Sequence, residues 1–141
     1  MPKVQLKKNT EELLAKLGLV EDANWRVGKY SGGMKRRISI IMALVNDPEI
    51  AFLDEPTVAM DPQSRHAVWD FINELKKREK TVVLTTHYME EAEELCDRIG
   101  IIDNGKLIAL GTPKELKDKF DVKTLEDVFI QLTGKKIRAE V

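Results

Sequence analysis

Ile50-Ala51-Phe52-Leu53-Asp54-Glu55-Pro56 runs from four apolar residues into two carboxylates and a proline. The apolar run is too short for a helix and is closed off by Asp47-Pro48 before it and Pro56 after it, so it reads as a buried strand. Upstream, Ser31-Gly32-Gly33 opens a helix expected from Met34 to about Asn46. Ile38, Ile41, Met42 and Val45 recur there at helical spacing, and the proline at 48 restricts the residue before it and ends the helix. Downstream, Asp61-Pro62 is a strong helix start, an acceptor at the cap and proline in the first turn. That helix is expected to reach about Lys77, with Val68, Phe71, Ile72 and Leu75 on one face, and Thr81–Thr85 (TVVLT) reads as a second buried strand. Helix, strand, helix, strand in this order predicts an α/β fold with a mostly parallel sheet.

The flanks extend the pattern. Asn9–Leu17 reads as a short helix with Asn9 at its cap, Glu12 three residues on, and Leu13, Leu14 and Leu17 on one side. Glu21–Lys29 is polar and irregular and holds Trp25. A Glu-rich helix is expected over about Tyr88–Cys96, its acidic start favoured by the helix dipole. Asn104-Gly105 between Ile99–Asp103 and Lys106–Leu110 is a strong hairpin signal. Thr112-Pro113-Lys114-Glu115 is a capping box with proline at the first helical position, and a last helix is expected over Leu125–Leu132. The tail, Lys135–Val141, is expected to be loose. No internal repeat or low-complexity segment interrupts the chain.

Composition narrows the function classes. The 23 Lys and Arg nearly cancel the 24 Asp and Glu, which gives no electrostatic case for nucleic acid or a polybasic membrane anchor. With 43% apolar residues in 141, there is enough to build a core. One cysteine, Cys96, supports neither an internal disulfide nor a cysteine-cluster metal site, so a reducing, cytoplasmic setting is expected. The apolar runs fall far short of the roughly 20 residues that span a bilayer, so any tie to a membrane is expected to run through a partner.

Three motifs carry chemistry. Asp54 and Glu55 end a buried strand, where parallel sheets open their ligand crevice. Adjacent residues there point in different directions, so one acid can hold Mg²⁺ together with substrate phosphates while the other polarises a water. Alone, the pair reads more readily as a solvated loop start. Ser31-Gly32-Gly33 leaves backbone N–H groups bare at a helix N-terminus, an anion site by geometry and dipole, although a Ser-capped helix start is the plainer reading. His87 follows the second strand in Thr85-Thr86-His87 and would share the rim with Asp54 and Glu55 if the two strands are neighbours; a capping or packing histidine is the commoner case. His66 lies on a helix with no such neighbourhood.

Order and spacing favour the chemical readings together. The succession Tyr30-Ser31-Gly32-Gly33-Met34, Ile50–Glu55, Thr57–Asp61 and His87 resembles the C-terminal part of ABC transporter ATPase domains over about residues 10–120. Tyr30–Met34 is similar to their signature sequence, Ile50–Glu55 to the Walker B strand, Thr57–Asp61 to the D-loop and His87 to the switch histidine. Tyr30 and Met34 replace the common Leu and Gln, and Val58-Ala59 replaces the usual Ser-Gly. YSGGM followed by Lys35-Arg36-Arg37, with Thr124–Phe129, resembles the branch of drug- and lipid-exporting systems. The resemblance implies ATP and Mg²⁺ as ligands, with Asp54 on the metal, Glu55 as catalytic base and His87 at the γ-phosphate. It further implies a head-to-tail dimer in which Ser31, Gly32 and Gly33 face the partner's nucleotide and Asp61 links the two sites. A membrane-spanning transporter subunit is the implied second partner, with Asn24–Lys29, Trp25 and Arg26 above all, near it. The implied location is the cytoplasmic side of a membrane.

No G-x-x-x-x-G-K-[ST] phosphate loop occurs among the eight glycines. The chain therefore resembles a P-loop NTPase fold that lacks its P-loop strand, and it is expected to bind ATP weakly by itself. In the family that strand lies between the strands matching Thr81–Thr85 and Ile99–Asp103. Its loss is expected to leave open edges and exposed apolar surface that favour self-association. The resemblance divides the chain into part of a helical signature subdomain (1–47), a piece of the catalytic core (48–111) and a helical tail (112–141). A non-transport ATPase of the same superfamily and a non-catalytic interaction module are the alternatives.

Overall fold

A computed structural model describes residues 1–134; the expected loose tail lies outside the described residues. The chain forms two compact units, Met1–Thr85 and Thr86 onward.

The first unit contains α1 (Lys3–Lys16), a 3₁₀ turn (Val27–Lys29), α2 (Gly32–Leu44), β1 (Ile50–Asp54), α3 (Pro62–Lys77) and β2 (Thr81–Thr85). α3 follows the sequence pattern closely: Val68, Phe71, Ile72 and Leu75 are all buried. Removing each of those side chains from water contributes roughly 1.5–3 kcal/mol. β1 and β2 pair in parallel, from Ile50 opposite Thr81 to Asp54 opposite Thr85.

Three expectations need correction. α1 begins at Lys3, and Asn9 sits inside it rather than at its cap. The Asn9 Nδ2 instead donates to the Val45 carbonyl at 2.9 Å, closing the C-terminal end of α2, while its Oδ1 accepts from Gln5 Nε2 at 2.8 Å. On α2 the buried residues are Ile40, Ile41 and Leu44, and Met42 is exposed, so the inward stripe is rotated from the one the spacing suggested. The strands are buried on one side only. Ala51 and Leu53 point inward, whereas Ile50, Phe52 (75% exposed) and Val83 face out. Alternation along a strand sends every second side chain to the opposite face, and nothing among the described residues buries that face.

The second unit contains α4 (Met89–Leu95), β3 (Ile99–Asp103), β4 (Lys106–Gly111), α5 (Pro113–Phe120) and α6 (Leu125–Thr133). β3 and β4 form an antiparallel hairpin with an irregularity between Ile101 and Ile102. Its turn is Asn104-Gly105, both at positive φ, the conformation that Asn and Gly tolerate best. The Thr112 capping box forms as expected: its hydroxyl accepts from Glu115 N at 3.1 Å, and Glu115 Oε2 accepts from Thr112 N at 2.8 Å. That second bond, reinforced by the Thr112 side chain, holds the Glu115 carboxyl below its ordinary pKa. Ala92, Ile99, Ile101, Leu116, Leu125 and Val128 make the core of this unit. The outward side of the hairpin exposes Ile102, Leu107 and Leu110. Among the described residues β2 and β3 lie in separate two-stranded sheets.

Candidate functional site at the end of the first strand

The parallel ladder ends where Asp54 lies opposite Thr85. Thr85 serves this corner twice. Its hydroxyl donates to the Asp54 carboxylate. Its carbonyl and hydroxyl oxygens accept from the Glu55 N–H at 3.0 and 3.2 Å. Glu55 has φ of 46°, a left-handed conformation uncommon for a residue with a side chain. Of the two acids, Asp54 is exposed and Glu55 half-buried. A third group fixes the corner from outside the sheet. Arg36 on α2 donates through Nε to the Glu55 carbonyl at 3.0 Å, and its Nη2 donates to the carbonyls of both Asp54 and Glu55.

Beyond Glu55 the chain is anchored by buried Pro56, Thr57 and Met60. Ala59 between them adopts φ of 59°. This is the position where the resembled family has glycine, so the backbone keeps the left-handed shape and the methyl group bears the strain. Asp61 caps α3, its Oδ1 accepting from Ser64 N at 2.9 Å. Bonds from the Ser64 side chain and then its backbone N–H hold the Asp61 carboxyl below its ordinary pKa.

The Ser31-Gly32-Gly33 segment stands in the same unit. Ser31 caps α2, its Oγ accepting from Met34 N at 3.2 Å. Neither glycine has a positive φ, and a Cβ added to Gly32 would meet nothing. One added to Gly33 would reach only ordinary contact, 3.9 Å from the Ala59 carbonyl. Among the described residues no packing contact requires glycine at either place. Tyr30, the departure from leucine, is buried, and its hydroxyl donates to the Asp22 carbonyl at 2.9 Å. Trp25 is 53% exposed.

Asp54, Glu55, Arg36 and Thr85 are thus brought into one hydrogen-bonded cluster, with Gly33 beside the loop that leads to Asp61. The condition attached to His87, that β1 and β2 be neighbours, is met. His87 itself, two residues beyond Thr85 in sequence, belongs to the second unit, where its ring lies 4.3 Å from that of Tyr88. Arg36 and the double role of Thr85 escaped the sequence reading. Arg36 reads there as one of three consecutive cations, and nothing in its spacing marks it as bound to carbonyls.

Several known proteins are similar to this chain in sequence. A profile of the ABC transporter family matches residues 3–58. Over 129 residues, 92% of this chain, the sequence is 47% identical to the linearmycin resistance ATP-binding protein LnrL of Bacillus subtilis (strain 168), covering 40% of that protein. Most of this chain matches part of the ATP-binding proteins of ABC transporters. The doxorubicin resistance ATP-binding protein DrrA of Mycobacterium tuberculosis is 50% identical over 119 residues, 84% of this chain and 36% of DrrA. ABC transporter A family member 11 of Arabidopsis thaliana is 51% identical over 120 residues, 85% of this chain and 12% of that protein. The solved ATP-binding subunit of an ABC transporter superposes with a TM-score of 0.85 at 27% identity, over 94% of this chain and 56% of that one. The chain therefore spans well under half the length of these sequence relatives. The expected α/β fold and the resemblance to drug-exporting members both hold. No described helix is long and apolar enough to cross a membrane.

Proposed function

We propose that this chain supplies the hydrolytic carboxylates and the signature helix of an ATP-hydrolysing unit that drives export across a membrane. The observation that supports this most is the corner at the carboxyl end of β1, where an exposed Asp54 and a left-handed Glu55 follow each other beside the end of β2. That is the crevice edge of a parallel sheet. Asp54, exposed and acceptor-rich, fits the single protein carboxylate that Mg²⁺ takes when phosphates and water complete its shell. When bound, Mg²⁺ would neutralise charge on the phosphates. Glu55 would accept a proton from the attacking water, and His87 would donate a hydrogen bond to the γ-phosphate.

Ser31, Gly32 and Gly33 would present bare N–H groups to the nucleotide of a second ATP-binding domain, and Asp61 would sit where the two domains meet. That reading gives the two glycines a purpose their own chain does not, since glycine lets a backbone approach a ligand closely. Exposed Trp25 and Arg26 would meet a membrane-spanning subunit, which would hold the assembly at the cytoplasmic side of the membrane. The functional division is then residues 1–47 for the helical subdomain, 48–111 for the core piece and 112–141 for the tail.

By itself the chain carries no phosphate loop, so we expect it to bind Mg·ATP weakly. The outward residues Ile50, Phe52 and Val83, with the open edges of both sheets, favour self-association. Calorimetry of the chain with Mg·ATP tests the first point and light scattering the second; tight binding or a clean monomer would count against them. Catalysis is tested in a chimaera that places this chain over the matching stretch of LnrL. There Glu55→Gln should retain ATP binding and lose turnover, and near-parent turnover would remove Glu55 from its role.

A further inference from the structure

We propose that Arg36 is a positioning residue for hydrolysis, holding the Asp54–Glu55 corner in the one backbone shape that aims the Glu55 carboxylate. This rests on the reading of Glu55 as the base. The observation is the fork described above. One guanidinium reaches from the second turn of α2 and binds two successive carbonyls, those of Asp54 and Glu55, where the strand ladder ends. A planar guanidinium with several N–H donors suits two adjacent acceptors, and an ammonium does not span them equally well.

The shape being held is an unfavourable one. Glu55 has φ of 46°, a conformation that persists in a side-chain-bearing residue only where its surroundings determine it. Relaxation to the common φ near −60° would turn the residue by about a hundred degrees about its N–Cα bond and swing its carboxylate away. Thr85 fixes the N–H side of Glu55 and Arg36 fixes its carbonyl side. Without Arg36 the Glu55 carbonyl keeps a 3.3 Å bond from Val58 N, a local turn bond, and Thr85 reaches only the N–H side.

Arg37 provides an internal comparison. The next residue on the same helix, it donates through Nη1 to the carbonyls of Leu17 (2.8 Å) and Gly18 (3.3 Å), just beyond α1. One arginine ties helix to helix, and its neighbour ties helix to the carboxylate corner. Loss of either should loosen the unit, but only loss of Arg36 should reach the chemical step selectively.

The test uses the LnrL chimaera with steady-state ATPase assays, ATP binding by fluorescence titration and thermal melts. Arg36→Met should lower kcat by about tenfold or more, since a displacement of about 1 Å of a reacting group can cost a hundredfold, while KM stays within about threefold. Arg36→Lys should recover part of that loss. In Glu55→Gln, adding Arg36→Met should lower turnover little further, because the two residues act as a unit. Arg37→Met should lower the melting temperature without the same split between kcat and KM.

The proposal is overturned if Arg36→Met turns over within about twofold of the parent, if the Arg36 and Glu55 losses multiply in full, or if Arg37→Met lowers kcat equally. Should Arg36→Met fail to fold, Arg36→Lys decides: a drop in kcat of about threefold or more at unchanged KM supports the role, and parent-like kcat overturns it. Glu55→Gln with near-parent turnover would instead overturn the reading of Glu55 and Arg36's role with it. An inactive Glu55→Gln beside a fully active Arg36→Met sinks Arg36 alone.

Discussion

The two motifs of the first unit differ in how completely their own chain explains them. At the end of β1 the backbone shape is accounted for within the chain: Thr85 on one side, Arg36 on the other, and a left-handed Glu55 between them. At the start of α2, Ser31 does ordinary capping work, while among the described residues no close contact requires glycine at 32 or 33. Glycine in a helix costs up to about 1 kcal/mol relative to alanine. The first motif is built from inside; the second is left open at a cost to stability.

Substitutions can break or sharpen this contrast. The largest effect is expected at the built corner. In the chimaera, Glu55→Gln should cut ATP turnover by about a hundredfold or more, the range for losing a general base, with ATP binding retained. Pre-steady-state and binding measurements separate the two. At the open motif, Gly33→Ala should leave the melting temperature unchanged or slightly raised, because the added methyl meets only the Ala59 carbonyl at 3.9 Å. Turnover should nevertheless fall by about tenfold or more if a partner's nucleotide packs on that backbone. A Gly33→Ala protein that loses stability and keeps its turnover would reverse the contrast.

A pH effect follows from Asp61. Its folded-state pKa lies below the ordinary 3.8, held down by Ser64. The folded chain then binds fewer protons than the unfolded one, so stability rises with pH across this window. The contribution of Asp61 is complete above the unfolded value, fades as pH falls past it, and is gone below the depressed folded value. Asp61→Asn should flatten that part of an acid-denaturation curve, and an unchanged acid limb would show that the cap does not couple to folding.

The smallest effect is expected at Ala59. Its φ of 59° suits glycine, so Ala59→Gly should stabilise the unit by up to about 1 kcal/mol, offset in part by the greater freedom of glycine in the unfolded chain. Urea denaturation reads this directly, and a destabilised variant would mean that the methyl group packs usefully.

Legibility in the sequence followed the range of the interactions involved. α3, the Asn104-Gly105 hairpin and the Thr112 capping box form as their residues suggest, because caps, turns and helical stripes are decided within a few positions. Asn9 illustrates the limit. It has the residue type of a helix cap and does cap a helix, but the end it closes belongs to α2, 36 residues away. The half-burial of β1 and β2 was equally hidden. Continuous apolar runs suggest cover on both faces, and whether that cover exists depends on other segments.

Sequence alone determined the succession of elements, the two carboxylates at a strand end, the glycines at a helix start and the absence of a phosphate loop. Each of these is a local property of residue type and spacing. The tertiary structure decided that β1 and β2 are partners, that Thr85 and Arg36 hold the corner, and that Glu55 and Ala59 take left-handed shapes. A hydrogen bond between residues 19 or 30 positions apart leaves no periodic trace in the chain. Only folding brings a guanidinium to the carbonyls it binds.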